Sequence, residues 1–173
     1  MEAREKFDLS RVGERVESPP IKIDGDATKA FADATNDDNY AFSAGDLVPP
    51  LYPVVLVLKT MVAAKNTVTR AFAFHGEHDL SYLEHFRPGM VVVPSATVVG
   101  VRQRSAGVAI IVRIAIHSQA GNLLNEQYFT SFVSGGRIEE SVGEDAPRRT
   151  MAQLEHERPP LGAGREGPRR EAR

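Results

Sequence analysis

"GDLVPPLYPVVLVLKTMVAAKNT", residues 45–67, is the stretch whose reading decides the fold. Pro53 suits a first helical turn, where its missing N–H costs nothing, and Val54 to Lys65 are apolar nearly all round. A helix that is apolar on every side belongs in the middle of something. The β-branched valines keep a strand open as the alternative, because a short apolar run does not declare its own period.

Downstream the pattern changes to alternation. "RAFAFHGEHDLSYLEHF" (70–86) predicts a broken first strand pair. Three long strands follow in "GMVVVPSATVVGVRQR" (89–104), "GVAIIVRIAIHS" (107–118) and "NLLNEQYFTSFVSG" (122–135). The "SAG" and "QAGN" segments between them are hairpin turns. In the middle strand Ile110, Val112, Ile114 and Ile116 share one face, while Ile111, Arg113, Ala115 and His117 share the other. Such alternation means one covered face and one that is wet or paired with a subunit. Upstream, "ESPPIKID" (17–24) reads as an extended entry. Asp24 or Asp26 then caps a helix whose apolar positions Ala27, Ala30, Phe31 and Ala34 recur at helical spacing. The sum is an α+β fold, an antiparallel sheet of about five strands curved around one apolar helix, which is the hot-dog architecture.

Composition bounds the function. The chain has 173 residues, 42% hydrophobic and 25% charged, enough for one domain with a real core. A net charge of −2 offers no broad basic field for nucleic acid or an anionic membrane. There are no cysteines, which excludes disulfides, thiolate metal sites and cysteine nucleophiles. The first eighteen residues are charged throughout and lack the apolar core of a signal peptide, and no run is long enough to span a bilayer, so a cytoplasmic location is expected. From Gly143 onward the chain is rich in charge, proline and glycine, too poor in apolar residues to offset the entropy of ordering. The expected organisation is a flexible segment at 1–16, one domain at 17–138 and a disordered tail at 139–173, with one helical turn near "TMAQLEHE" (150–157).

The candidate site lies in "FADATNDDNYAF", residues 31–42, on the loop after the first helix. With the order of segments that follows it, this stretch resembles the MaoC-like (R)-specific enoyl-thioester hydratases and dehydratases over roughly Ser18 to Arg137. Active members of that family carry a motif A-T-G-D-x-N-P-x-H. Ala34 and Thr35 match it, Asn36 stands at the glycine, Asp37 at the catalytic aspartate and Asn39 at the asparagine. Tyr40 replaces the proline, and Phe42 falls where the histidine belongs. In the family the aspartate and histidine work together on a water molecule, while an N–H at the start of the central helix stabilises the enolate oxyanion. A phenyl ring cannot change protonation state. Pro49 and Pro50 fall at the family's histidine-glycine pair, and proline has no N–H to donate.

The resemblance therefore implies the histidine-lacking partner subunit of a heteromeric enzyme, with Asp37 a degenerate catalytic residue. Asn39, Tyr40, Phe42, Pro50 and Leu51 line an acyl-binding channel in this reading. The implied ligand is an acyl-CoA or acyl-ACP thioester, the implied partner a second hot-dog subunit, and no metal or other cofactor is expected. The alternatives are a self-sufficient hydratase using Asp37 with another base, and a hot-dog scaffold without thioester chemistry. Asp37 and Asn39 also fit plain turn-forming roles, and Tyr40 and Phe42 plain anchoring of the loop. His75 and His78, three apart in a strand, are expected to point to opposite faces and so not to converge on a metal. Arg102, Arg104 and Arg113 suit either a ligand's phosphates or simply a solvated sheet.

Overall fold

The computed structural model describes residues 6–147. The chain forms β1 (Arg15–Glu17), β2 (Ile21–Lys22), α1 (Gly25–Ala34), α2 (Tyr40–Ser43), α3 (Tyr52–Val68), β3 (Phe74–Tyr82), β4 (Val91–Arg104), β5 (Gly107–Ser118), β6 (Leu123–Ser134) and β7 (Val142–Gly143). The main path of the antiparallel sheet is β1-β4-β5-β6-β3, and the two-residue strands β2 and β7 also pair with β4. Of the pair expected at 70–86, one strand forms; residues 83–90 make a connection instead, with backbone bonds that include Val48 N–H to the Phe86 carbonyl. The β4–β5 hairpin turns over Ser105 and Ala106, and the β5–β6 hairpin turns through Gly121 at φ +89°.

The deciding stretch is a helix. Pro53 occupies its first turn, and α3 lays Val57, Met61, Ala64 and Val68 into the same core as Val108, Ile110, Val112, Ile114 and Ile116 of β5. It is not buried all round, however. Leu51, Val55, Leu58 and Val62, spaced four, three and four apart, form an exposed apolar stripe on its other side. The helix α1 is capped by Asp24, whose carboxylate accepts from the N–H groups of Asp26 and Ala27. Its packed face is Thr28, Phe31 and Ala32, not the expected Ala27, Ala30 and Ala34. Thr28 can be buried because its hydroxyl bonds the Gly25 carbonyl at 2.8 Å.

Both ends of the domain extend past the expected boundaries. Within the segment expected to be flexible, Asp8 N–H bonds the Val68 carbonyl at 2.7 Å, and Phe7, Leu9, Val12 and Val16 pack on the core. At the other end, β7 and Glu144 pair with β4, and Asp145 bridges Arg102 and Arg104. That crossing requires glycine at two points: a Cβ on Gly100 would overlap the Glu144 carbonyl oxygen, and one on Gly143 that of Val99. It lies beside the outer sheet face at Ala109 and Ile111, which are buried although only the helix-facing row belongs to the main core. The rest of the expected tail, with its helical turn, lies outside the described residues, as do residues 1–5. Among the described residues no helix is long and apolar enough to cross a membrane.

Candidate functional site

The loop after α1 holds its shape through the residues that the motif singles out. Asn36, at the glycine position, takes φ +53°, in the left-handed region that asparagine tolerates better than most residues. The Asp37 carboxylate accepts from the Asn39 N–H at 3.2 Å, and its own N–H donates to the Ala32 carbonyl at 2.9 Å. Asn39 in turn caps α2, its side-chain oxygen accepting from Ala41 N–H at 3.0 Å. Both polar residues are thus engaged with backbone. Among the described residues no histidine nitrogen bonds Asp37. Tyr40 stands out at 79% exposure, while Phe42 is turned inward at 8%.

The start of α3 carries the other candidate residues, Pro50 and Leu51, and neither they nor Asp37, Asn39, Tyr40 or Phe42 line the grooves of about 600 and 380 Å³ beside β3. Pro49, Pro50 and Pro53 bring no N–H; those of Tyr52 and Val54 bond the carbonyls of Pro49 and Leu51 at 3.0 and 3.1 Å. A helix N-terminus is ordinarily a ready source of donors for an oxyanion; here Leu51 supplies the remaining N–H of the turn. Leu51 itself is 59% exposed, and the Pro50 carbonyl accepts a hydrogen bond from the Tyr82 hydroxyl at the end of β3. That bond ties the first turn of α3 to the sheet edge. Burial pushes the Tyr82 phenol above its usual pKa of 10.0, so it stays a donor.

Between α3 and β3 lies a polar row that the sequence reading missed. His78 Nε2 meets Gln127 Oε1 at 2.9 Å, Gln127 Nε2 donates to Asn125 Oδ1 at 2.7 Å, and Asn125 Nδ2 donates to the Ser81 carbonyl at 2.8 Å. Because Gln127 offers its oxygen, the imidazole is the donor, with its proton on Nε2. Burial lowers the His78 pKa below 6.5, a shift that the Gln127 bond opposes and the nearby His75 reinforces. Contrary to expectation, His75 and His78 share a face. A bulge at Gly76 shifts the register between His75 and Glu77, so the two rings lie 5.6 Å apart and both pack on Phe129. The isolated glycine inside an alternating run was the available signal. Among the described residues no group of three or more histidine, aspartate or glutamate side chains is placed to hold a metal ion. The arginines weighed as phosphate ligands are otherwise engaged, Arg113 with Glu126 at 2.7 Å and Arg102 and Arg104 with Asp145.

An antiparallel sheet whose five-strand path curves on one long helix has well-characterised counterparts. This is the hot-dog fold. The structure of the C-terminally truncated HadBC (3R)-hydroxyacyl-ACP dehydratase complex from Mycobacterium tuberculosis matches with a TM-score of 0.65 at 17% identity, covering 73% of this chain and 98% of that one. A MaoC-like dehydratase from Phytophthora capsici matches with a TM-score of 0.68 at 18% identity, covering 82% of this chain and 54% of the other. The (R)-hydratase PhaJ1 from Pseudomonas aeruginosa matches with a TM-score of 0.56 at 13% identity over 93% of this chain and 99% of that one. No family model and no curated protein sequence matches the chain. The hot-dog chain thus shares its backbone with hydratases and dehydratases at identities that speak for the fold alone. Asp37 and Asn39 hold the turn after α1, and position 42 carries a buried phenyl ring.

Proposed function

We propose that this chain is the acyl-thioester-binding, non-catalytic subunit of a heteromeric MaoC-like hydratase or dehydratase, and that a second hot-dog chain brings the histidine. The observation that carries the reading is the state of the motif. Asp37 is spent on a turn, Phe42 is buried where an imidazole would have to reach water, and prolines strip donors from the start of α3. General acid-base catalysis contributes roughly 10²–10⁴-fold, and one oxyanion donor about 3–4 kcal/mol, so a site without the first and with only the Leu51 N–H left for the second is a binding site first.

A partner is supported by the surface around this site. The stripe Leu51, Val55, Leu58 and Val62 on α3 runs beside the edge strand β3, linked to it at one end through Tyr82 and Pro50. At the other end Val62, Phe72 and His75 line one groove of about 380 Å³. Exposed Tyr82, Leu83 and Phe72 continue the apolar band. A strand edge that no described residue pairs, flanked by such a band, is what a neighbouring hot-dog sheet would cover, with a ligand channel closing between the two.

The test is isolation of the chain from its host with whatever binds it, identification of the partner by mass, and titration of the lone chain and the complex with an acyl-CoA. The proposal expects a second hot-dog chain with an intact aspartate and histidine, and thioester binding that tightens in the complex. A chain that purifies without such a partner and binds no acyl-CoA is a scaffold instead, and the proposal fails.

A further inference from the structure

The face of the sheet turned away from α3 carries a groove of about 600 Å³ that the thioester reading leaves unused. Its floor is Ala109, Ile111 and Thr130; one rim is the edge strand β3 with Glu77, Asp79 and Ser81, and the other is Arg104 with Asp145, Ala146 and Pro147. The two rims differ in electrostatics. Arg104 is neutralised by Asp145 at 3.0 Å, whereas Glu77 and Asp79 make no ion pair among the described residues and stand exposed on their rim.

We infer that this groove is the docking site of the chain's own C-terminal segment, with Arg148 and Arg149 set against Glu77 and Asp79 and with Met151 and Leu154 over the apolar floor. Three features carry the inference. The described residues end at the groove, because Pro147 is itself part of the rim. The charges match: residues 148–173 hold seven arginines against four glutamates, beginning with two adjacent arginines. The distances also match. Asp145 is anchored over β4, and three strand spacings of about 4.8 Å separate β4 from β3, so about four extended residues at 3.3 Å each cross the sheet. Counted from Pro147, the last residue of that rim, the backbone sets out across the groove at Arg148 and Arg149, whose long side chains reach ahead towards the carboxylates of β3, and Met151 and Leu154 follow over Ala109 and Ile111. The segment so placed covers the outer side of the edge strand, opposite the side that faces α3. The inference stands independently of any thioester chemistry.

The test is the rate at which chymotrypsin cuts the full-length chain after Met151 or Leu154, followed by mass spectrometry. Four proteins are compared: wild type, Glu77→Lys/Asp79→Lys, Arg148→Glu/Arg149→Glu, and the variant with all four substitutions. Cleavage follows the undocked population, so each charge reversal is expected to accelerate it about tenfold, and the four-fold swap to restore the wild-type rate. Raising the salt to about 1 M is expected to speed wild-type cleavage similarly, since exposed pairs are screened. Restoration in the swap excludes damage to the fold as the cause. Equal rates in all four proteins overturn the inference, as does a swap no slower than the single reversals. Protection that vanishes on dilution together with a dimer also overturns it, because a second copy would then be the occupant.

Discussion

Val55 and Val57 sit two residues apart on α3, and the fold assigns them opposite fates: Val57 is fully buried and Val55 is 51% exposed. Truncating each to alanine removes the same two methyl groups, so any difference in cost measures which way the helix faces. At Val57 the lost transfer energy is about 1.6 kcal/mol at about 0.8 per buried carbon, and the cavity left behind raises it to about 2–3 kcal/mol. At Val55 half of that transfer term is already forfeited to solvent, and the better helix propensity of alanine offsets much of the rest, leaving a change within about 0.5 kcal/mol. In thermal unfolding followed by circular dichroism, Val57→Ala is expected to lower Tm by about 4–10 °C for a chain of this length. Val55→Ala should leave it within about 2 °C, provided the protein is dilute enough to be free of any partner. Equal losses for the two variants in the dilute lone chain would refute the orientation of the helix, and with it the exposed stripe that the partner is meant to cover.

Gly100→Ala sets a Cβ against the Glu144 carbonyl and is expected to cost about 1–3 kcal/mol and to expel residues 142–145 from the sheet edge, read as faster amide exchange there. Unchanged exchange would mean that the segment does not cross where described. Since burial holds the folded-state pKa of His78 below its unfolded value of 6.5, the unfolded chain binds the proton more readily. Stability is therefore full above that value and falls as pH drops from it towards the folded pKa, and His78→Gln should flatten this slope in Tm measured between neutral and mildly acidic pH. An equally steep slope in the variant would assign the effect elsewhere. Tyr82→Phe removes the bond to the Pro50 carbonyl and should cost about 1 kcal/mol or less while speeding exchange at the Tyr52 and Val54 N–H groups, which bond the carbonyls of Pro49 and Leu51. Exchange as slow as in wild type would show that Tyr82 does not hold the turn.

The elements that the sequence made legible are those whose signals are local. Pro53 marked the start of α3, the alternation from Ile110 to Ile116 marked the core face of β5, and Gly107 and Gly121 marked the two hairpins. The α+β architecture followed from those. What stayed hidden was set by partners distant in sequence. Ile111 looks like a surface residue until the chain returns across the sheet over Gly100, and no local pattern announces that a segment as polar as 142–145 can dock. Thr28 looks like a poor core residue until its hydroxyl is satisfied within its own helix turn. At the candidate site, Asp37 and Asn39 share one turn because turn formers are local, whereas Tyr40 and Phe42 lie in the short helix α2 rather than on the expected loop. The motif gave no hint of the row from His78 through Gln127 to Asn125, which exists only once β3 and β6 pair across a bulge.

The account stands or falls on whether this polypeptide can move a proton on a bound thioester by itself. The direct measurement is hydration of an enoyl-CoA by the purified lone chain, followed by loss of the conjugated chromophore, with Asp37→Asn alongside. The account predicts no turnover above the uncatalysed rate in either protein, and turnover once a histidine-bearing hot-dog partner is added. Robust hydration by the lone chain that disappears in Asp37→Asn would contradict it and make Asp37 a working catalytic carboxylate.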